Sequence, residues 1–174
     1  MILLLILSTL LSLTAAVMAS FGLMGLWGAP YVGTPTSIAR RMIRLAEGKE
    51  GETLLDLGSG SGSILIVAAK EFGMRGIGYE LNPFLRVITK LKARVHGVAD
   101  RIEVRSGNVF HINLPEAEVI TLFLLPAMVE SLRAKIIEQA GVETRIIARD
   151  FYLQNWPHYA EDGWLRAYRK SDVL

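Results

Sequence analysis

Thr53-Leu-Leu-Asp-Leu-Gly-Ser-Gly-Ser-Gly62 is an apolar run that ends in three alternate glycines. Leu54, Leu55 and Leu57 suit a strand buried on both faces, the mark of a parallel sheet. Gly58, Gly60 and Gly62 then let the backbone turn sharply with no Cβ between it and a ligand. A second run, Gly78-Tyr-Glu-Leu-Asn-Pro83, closes what reads as the next strand, Arg75 to Glu80. Glu80 falls about 20 residues after the loop, where a carboxylate accepts both hydroxyls of a ribose. A glycine turn alone serves packing as readily as binding. Strand, loop, helix and acid in this order point to a nucleoside ligand.

Dinucleotide sites usually carry GxGxxG, with a pyrophosphate on the helix N-terminus. The spacing here is GxGxG with Ser59 inside the loop, which favours S-adenosylmethionine over NAD as the cofactor. The chain has no cysteine, and His96, His111 and His158 are scattered, so neither thiolate chemistry nor a metal site is expected. A formal charge of +2 with mixed signs gives no reason to expect a nucleic-acid partner. The 174 residues allow one domain of roughly 135 residues after an apolar leader, enough for a single core.

No Asp, Glu, Lys or Arg occurs from Ile2 to Ile38. Residues Ile2 to about Met24 exceed the roughly 20 apolar residues that cross a bilayer, so residues 1–27 are expected to form a transmembrane anchor, 28–37 a connector and 38–174 the cofactor-binding domain. Trp27 and Tyr31 fall where interfacial aromatics sit, and Arg40, Arg41 and Arg44 would keep that side cytoplasmic. The expected localisation is single-pass in a membrane, with the catalytic domain on the cytoplasmic or matrix-equivalent side. A cleaved signal peptide competes, with Val17-Met18-Ala19 as a cleavage site, but the leader lacks a basic start.

Beyond the connector, Thr36 or Ser37 is placed to cap a helix with an apolar face of Ile38, Met42, Leu45 and Ala46. Asn82 and Pro83 open a further helix, expected to face Phe84, Val87, Ile88, Leu91 and Val95 inward and Arg86, Lys90, Lys92 and Arg94 to solvent. Later strands read as Ile102–Gly107, Glu118–Leu124 and Thr144–Arg149, with a helix from Pro126 and an alternating edge strand at Gly163–Arg169. Such alternation predicts an α/β fold: a Rossmann-like, doubly wound, mostly parallel sheet with ligands at the strands' carboxyl ends. The glycine loop, Glu80, Asn108, Leu125 and Asp150 all fall at such ends.

With these pieces in order, the chain after Ala29 resembles class I S-adenosylmethionine-dependent methyltransferases. The runs PYVGTP, LLDLGSGSG, GIGYELNP, LFLLPAM and RDFYLQNW are similar to the lysine methyltransferases of the ATP synthase c-subunit and the adenine nucleotide translocase, and to archaeal protein-lysine methyltransferases. The resemblance implies that Asp56, Gly58, Ser59, Gly60 and Gly62 surround the methionine part, Glu80 holds the ribose and Leu81 covers the adenine. It also places Asn108 and Val109 beside the adenine, and Tyr31 and Thr34 against the cofactor. Asn108 stands where the family pattern usually has aspartate, which removes charge assistance from that contact. Gly33 stands where relatives often have proline.

Methyl transfer is an in-line displacement, so the protein must align the acceptor, exclude water and present it unprotonated. For a lysine acceptor, the carbonyls of Leu125 and Pro126 are candidates to orient the amine. Phe151, Tyr152 and Trp156 are candidates to line its channel, or else pack the core. The function implied is a membrane-anchored protein-lysine N-methyltransferase whose partner is a protein with an accessible lysine near the membrane. The alternatives are a small-molecule or lipid methyltransferase, a non-catalytic S-adenosylmethionine-binding membrane module, and a dehydrogenase.

Overall fold

The computed structural model describes residues 1–27 and 31–173, in two compact units, Met1–Val32 and Gly33–Leu174. The N-terminal unit contains helix α1, Ile2–Trp27. The side chains of residues 17 and 20–27, Trp27 among them, and connector residues 28–30 lie outside the described residues. Among the described residues no helix is long and apolar enough to cross a membrane, so the anchor expected over residues 1–27 finds no support here.

The second unit begins with α2 (Thr36–Leu45), β1 (Thr53–Leu57), α3 (Ser63–Phe72), β2 (Arg75–Tyr79) and α4 (Pro83–Val95). It continues with β3 (Ile102–Arg105), β4 (Val119–Leu122), α5 (Pro126–Gln139), β5 (Arg145–Arg149), β6 (His158–Asp162) and β7 (Leu165–Arg169). The seven strands order as β3-β2-β1-β4-β5-β7-β6. The first five pair in parallel and the last two antiparallel, which gives the doubly wound, mostly parallel sheet expected. β1 and β4 lie side by side inside the sheet, and the chain reverses direction across the sheet between them, the position where such folds bind ligands.

Alternate strand residues supply the two faces of the core. Leu55, Leu57, Ile120, Leu122 and Ile146 pack with Val129, Leu132 and Ile136 of α5. Leu54, Val119 and Ile147 pack with α2 and α3 through Ala39, Met42, Leu65 and Ala68. At the amino end of the sheet, buried Arg145 pairs with Glu52 at 2.8 Å and donates to the carbonyls of Ala46 and Glu47. That guanidinium satisfies carbonyls at the end of α2 that the helix itself leaves unpaired.

Four expectations are corrected. Pro35 precedes α2 and no side chain caps it, so neither Thr36 nor Ser37 acts as the cap. β7 is not the edge strand: it lies between β5 and β6. Arg40 is paired with Glu71 and Arg41 with Asp162, so two of the three arginines assigned to topology serve the domain itself. In α4 the buried residues are Leu85, Thr89 and Ala93, whereas Val87, Ile88, Leu91 and Val95 are exposed.

The α4 register follows from close approach to the glycine loop. A Cβ on Gly62 would stand 2.2 Å from Cγ2 of Thr89, and Gly62 has φ of +74°. A small side chain must therefore sit at position 89, and position 62 must be glycine. Gly62→Ala is expected to lower stability by about 2–3 kcal/mol, from left-handed strain plus overlap, as measured by chemical denaturation.

Candidate functional site

The carboxyl ends of β1 and β2 are joined by main-chain bonds. The amides of Gly58 and Ser59 both donate to the Tyr79 carbonyl, at 2.9 and 3.0 Å. The Gly60 amide donates to Oε2 of Glu80 at 2.9 Å, and the Asn82 amide to Oε1 at 2.8 Å. Glu80 is thus fixed by one donor on each oxygen. A carboxylate has about four lone-pair sites, which leaves acceptor capacity for two ribose hydroxyls. Leu81, beside it, is exposed.

Helix α4 braces this loop from outside. The Thr89 hydroxyl lies 3.1 Å from the Gly60 carbonyl, and Lys92 Nζ donates to the Ser61 carbonyl at 3.1 Å. Arg86 Nη1 donates to the carbonyls of Glu80 and Leu81 at 2.9 and 2.7 Å. Arg86 and Lys92 were expected to face solvent; instead they fold back along their stems onto the site, and burial lowers the Lys92 ammonium below its ordinary value. Asn82 caps α4, accepting from the Phe84 amide at 2.9 Å.

Asp56 is buried on β1. Thr121 donates to its Oδ1 at 2.7 Å, but Oδ2 has no partner among the described residues, nor has Oγ of buried Ser59. Burial pushes the Asp56 carboxyl up to about 7, against the Thr121 hydrogen bond and with help from the Glu80 charge. Such orphaned buried oxygens are uncommon in folded proteins and ask for a missing partner.

On the other side of the switch point, the Asn108 side-chain carbonyl accepts from the Phe110 amide at 3.0 Å, shaping the turn that holds Val109 in the core. Lys135 of α5 ties that turn down, donating to the carbonyls of Val109, Phe110 and Ile112 at 3.0, 2.8 and 2.5 Å. Sequence reasoning missed Lys135, since nothing in its spacing announces a long-range partner.

At the end of β5, the Arg149 guanidinium stands 4.0 Å over the Phe123 ring. It pairs with Asp150 at 3.1 Å and donates to Thr34 Oγ1 at 3.3 Å. Asp150 has φ of +63° and the Phe151 amide bonds back to the Arg149 carbonyl at 2.7 Å, a γ-turn of the rare positive-φ kind. Strain of this type clusters at functional sites. The Asp150 amide donates to the Trp164 carbonyl, and Trp164 itself is 72% exposed. Phe123, Arg149 and Trp164 are thus site candidates that the pattern had given only as strand residues.

One acceptor-side assignment is corrected. Trp156 is 4% exposed, donates its indole N–H to the Arg169 carbonyl at 2.9 Å and meets Tyr168 edge-on. It is a core residue, not a channel wall. The Leu125 carbonyl accepts from the amides of Met128 and Val129 at 2.9 and 3.0 Å, as the first turn of α5 requires, and Pro126 is the first residue of that helix. Both residues are exposed. Phe151 and Tyr152 are half-buried against the core, with Arg166 stacked on Tyr152. Tyr31 is exposed and belongs to the N-terminal unit.

Residues 56–160 match the model of the ANTKMT methyltransferase domain. The chain belongs to that family. It is 34% identical over 128 residues to a protein-lysine N-methyltransferase of Saccharolobus islandicus (strain REY15A), covering 73% of this chain and 80% of the relative. It is 30% identical over 135 residues to the adenine nucleotide translocase lysine N-methyltransferase of Mus musculus, covering 77% of this chain and 58% of that enzyme; the chain thus spans less than two thirds of the mouse enzyme's length. A solved structure from Salinibacter ruber, described as an RNA methyltransferase in complex with S-adenosyl-L-homocysteine, superposes with a TM-score of 0.74 at 38% identity, covering 79% of this chain and 92% of the other.

This member of the ANTKMT methyltransferase domain family is an S-adenosylmethionine-dependent methyltransferase. The residues present fit the cofactor: a tight loop with glycine at 58, 60 and 62, a carboxylate already oriented at the second strand's end, and unpaired Asp56 and Ser59 oxygens there. Glu80→Ala is expected to weaken S-adenosylmethionine binding about 10- to 100-fold, the worth of roughly 1.5–3 kcal/mol of charged hydrogen bonding, by isothermal titration calorimetry. Asp56 supplies a pH test. Its carboxyl rises from 3.8 to about 7 on folding, so the native state holds the proton longer and stability falls as pH climbs through that interval. Denaturation followed against pH is expected to lose that slope in Asp56→Asn.

Proposed function

We propose that the protein transfers a methyl group to the side-chain amine of a lysine in a protein substrate, and that this substrate lies near a membrane. The observation that carries the acceptor class is the identity to the archaeal protein-lysine methyltransferase, most of whose length this chain spans. S-adenosylmethionine supplies the electrophilic methyl group and a positive sulfonium. Glu80 would accept the ribose hydroxyls, and Leu81, Asn108 and Val109 would hold the adenine. Asp56 would offer its unpaired oxygen to the ammonium of the methionine part, and Thr34, held by Arg149, is a further candidate to meet the cofactor.

The lysine must arrive neutral, because its lone pair forms the new N–C bond as the C–S bond breaks. Its ordinary value near 10.4 has to fall, and the Arg149 guanidinium at the strand-end mouth disfavours a second cation beside it. Phe123, Phe151 and Trp164 offer aromatic faces to the aliphatic stem and to the methylated product. The incoming ammonium gives its proton to water as it enters the site, before the lone pair attacks, and the methylated product leaves as an ammonium, so no buried general base is required. Among the described residues no group of side chains suited to a metal is present.

The membrane part of the proposal rests on α1, whose 26 residues carry no charge. Insertion of that helix would place the catalytic domain on the cytoplasmic or matrix-equivalent side and raise the local concentration of membrane-protein lysines. The Salinibacter protein's description makes RNA the acceptor class to test against. Full-length protein is incubated with methyl-labelled S-adenosylmethionine, source membranes and total RNA, with Glu80→Ala as control. Label in protein bands, recovered as methyl-lysine after hydrolysis and lost in the variant, is the expected result. Label confined to RNA or to solvent-extracted lipid, or cofactor binding without transfer, would overturn it.

A further inference from the structure

Helix α4 has two apolar stripes, and the domain uses the narrower. Leu85, Thr89 and Ala93 face inward. Val87, Ile88, Leu91 and Val95 are exposed, Leu91 to 52% and Val95 to 84%. With half-buried Phe84 they recur at helical spacing and form a stripe about 100° wide at 3.6 residues per turn, as broad as the face a helix usually gives to a core. Exposed Leu81 carries the stripe past the helix start to the cofactor site. Arg86, Lys90 and Arg94 border it on one side and Lys92 on the other, and Pro83–Val95 contains no acidic residue. The heads of Arg86 and Lys92 are held by main-chain carbonyls; Lys90 and Arg94 are exposed.

We propose that this face of α4 is a membrane-surface element that seats its apolar stripe in the headgroup boundary of an anionic bilayer, with Lys90 and Arg94 on lipid phosphates. Apolar residues flanked by bases without acids are the pattern of helices that lie in the interface plane, and anionic headgroups supply the charge that complements them. A second copy fits poorly, because pairing α4 with itself sets bases against bases. A bilayer is also the partner that the proposed function gives to the uncharged α1. Seating α4 would fix the orientation of the cofactor site relative to the membrane, whatever the acceptor, so this inference stands apart from the lysine proposal.

The absence of native cysteine permits a local probe in the full-length chain. Leu91→Cys carries an environment-sensitive dye, Glu143→Cys carries it as an exposed control, and each protein is reconstituted into phosphatidylcholine vesicles with or without phosphatidylserine and a lipid-borne nitroxide quencher. S-adenosylmethionine binding confirms that each variant is folded. The dye at position 91 is expected to lose most of its fluorescence in phosphatidylserine vesicles only. The control is expected to keep its fluorescence, and Lys90→Glu with Arg94→Glu to abolish the loss at 91. An unquenched dye at 91, equal quenching in neutral vesicles, or shielding that tracks protein concentration through self-association would each overturn the proposal.

Discussion

The hydrogen bond from the Gly60 amide to the Glu80 carboxylate is the constraint on which the rest of the site depends. It joins the ends of β1 and β2 and fixes the acid before any ligand arrives, together with the shared Tyr79 carbonyl. The loop can come so close to β2 because Gly78 has no side chain: a Cβ there would stand 2.6 Å from Ser59 Oγ. The same closeness dictates Thr89 on α4 and glycine at 62. A few glycines and one short side chain thus set the distance between two strands, a helix and the cofactor seat. Preorganisation of this kind limits the conformational cost of binding.

Most of this seat was legible in the sequence, because glycine spacing, a distant acid and strand-helix alternation are local signals. The parallel sheet, the glycine loop and Glu80 all followed from them. The register of α4 did not, since hydrophobicity alone prefers Phe84, Val87, Ile88, Leu91 and Val95 to Leu85, Thr89 and Ala93. Close approach to the glycine loop selects the small residues, and that distance exists only in three dimensions. Arg86, Lys92 and Lys135 were misread or missed for a related reason: a long cationic side chain finds distant carbonyls that no spacing reveals. β6 escaped notice because His158–Asp162 is a half-polar edge strand. Trp156 carried a reasonable aromatic signal, but its burial depends on β7 lying inside the sheet.

In the proposed reaction, two side chains at the sheet's carboxyl edge, Asp56 and Arg149, take opposite parts. Asp56, buried with one unpaired oxygen, suits a cationic group in the cofactor's amino-acid part. Arg149, held by Phe123, Asp150 and Thr34, suits an acceptor that must be neutral to react. Neither needs to exchange a proton with substrate, consistent with a transfer that relies on alignment and electrostatics more than on acid-base groups. The exposed Trp164 beside the γ-turn at Asp150 agrees with the macromolecular acceptor proposed above.

Amide hydrogen exchange at Gly58, Ser59 and Gly60 in the cofactor-free protein tests the preformed seat most directly. A loop already bonded to Tyr79 and Glu80 predicts protected amides before S-adenosylmethionine is added, and faster exchange at Gly60 in Glu80→Ala. Rapid exchange at all three positions in the free protein, with protection appearing only on cofactor binding, would show that the ligand builds the seat and would contradict the account.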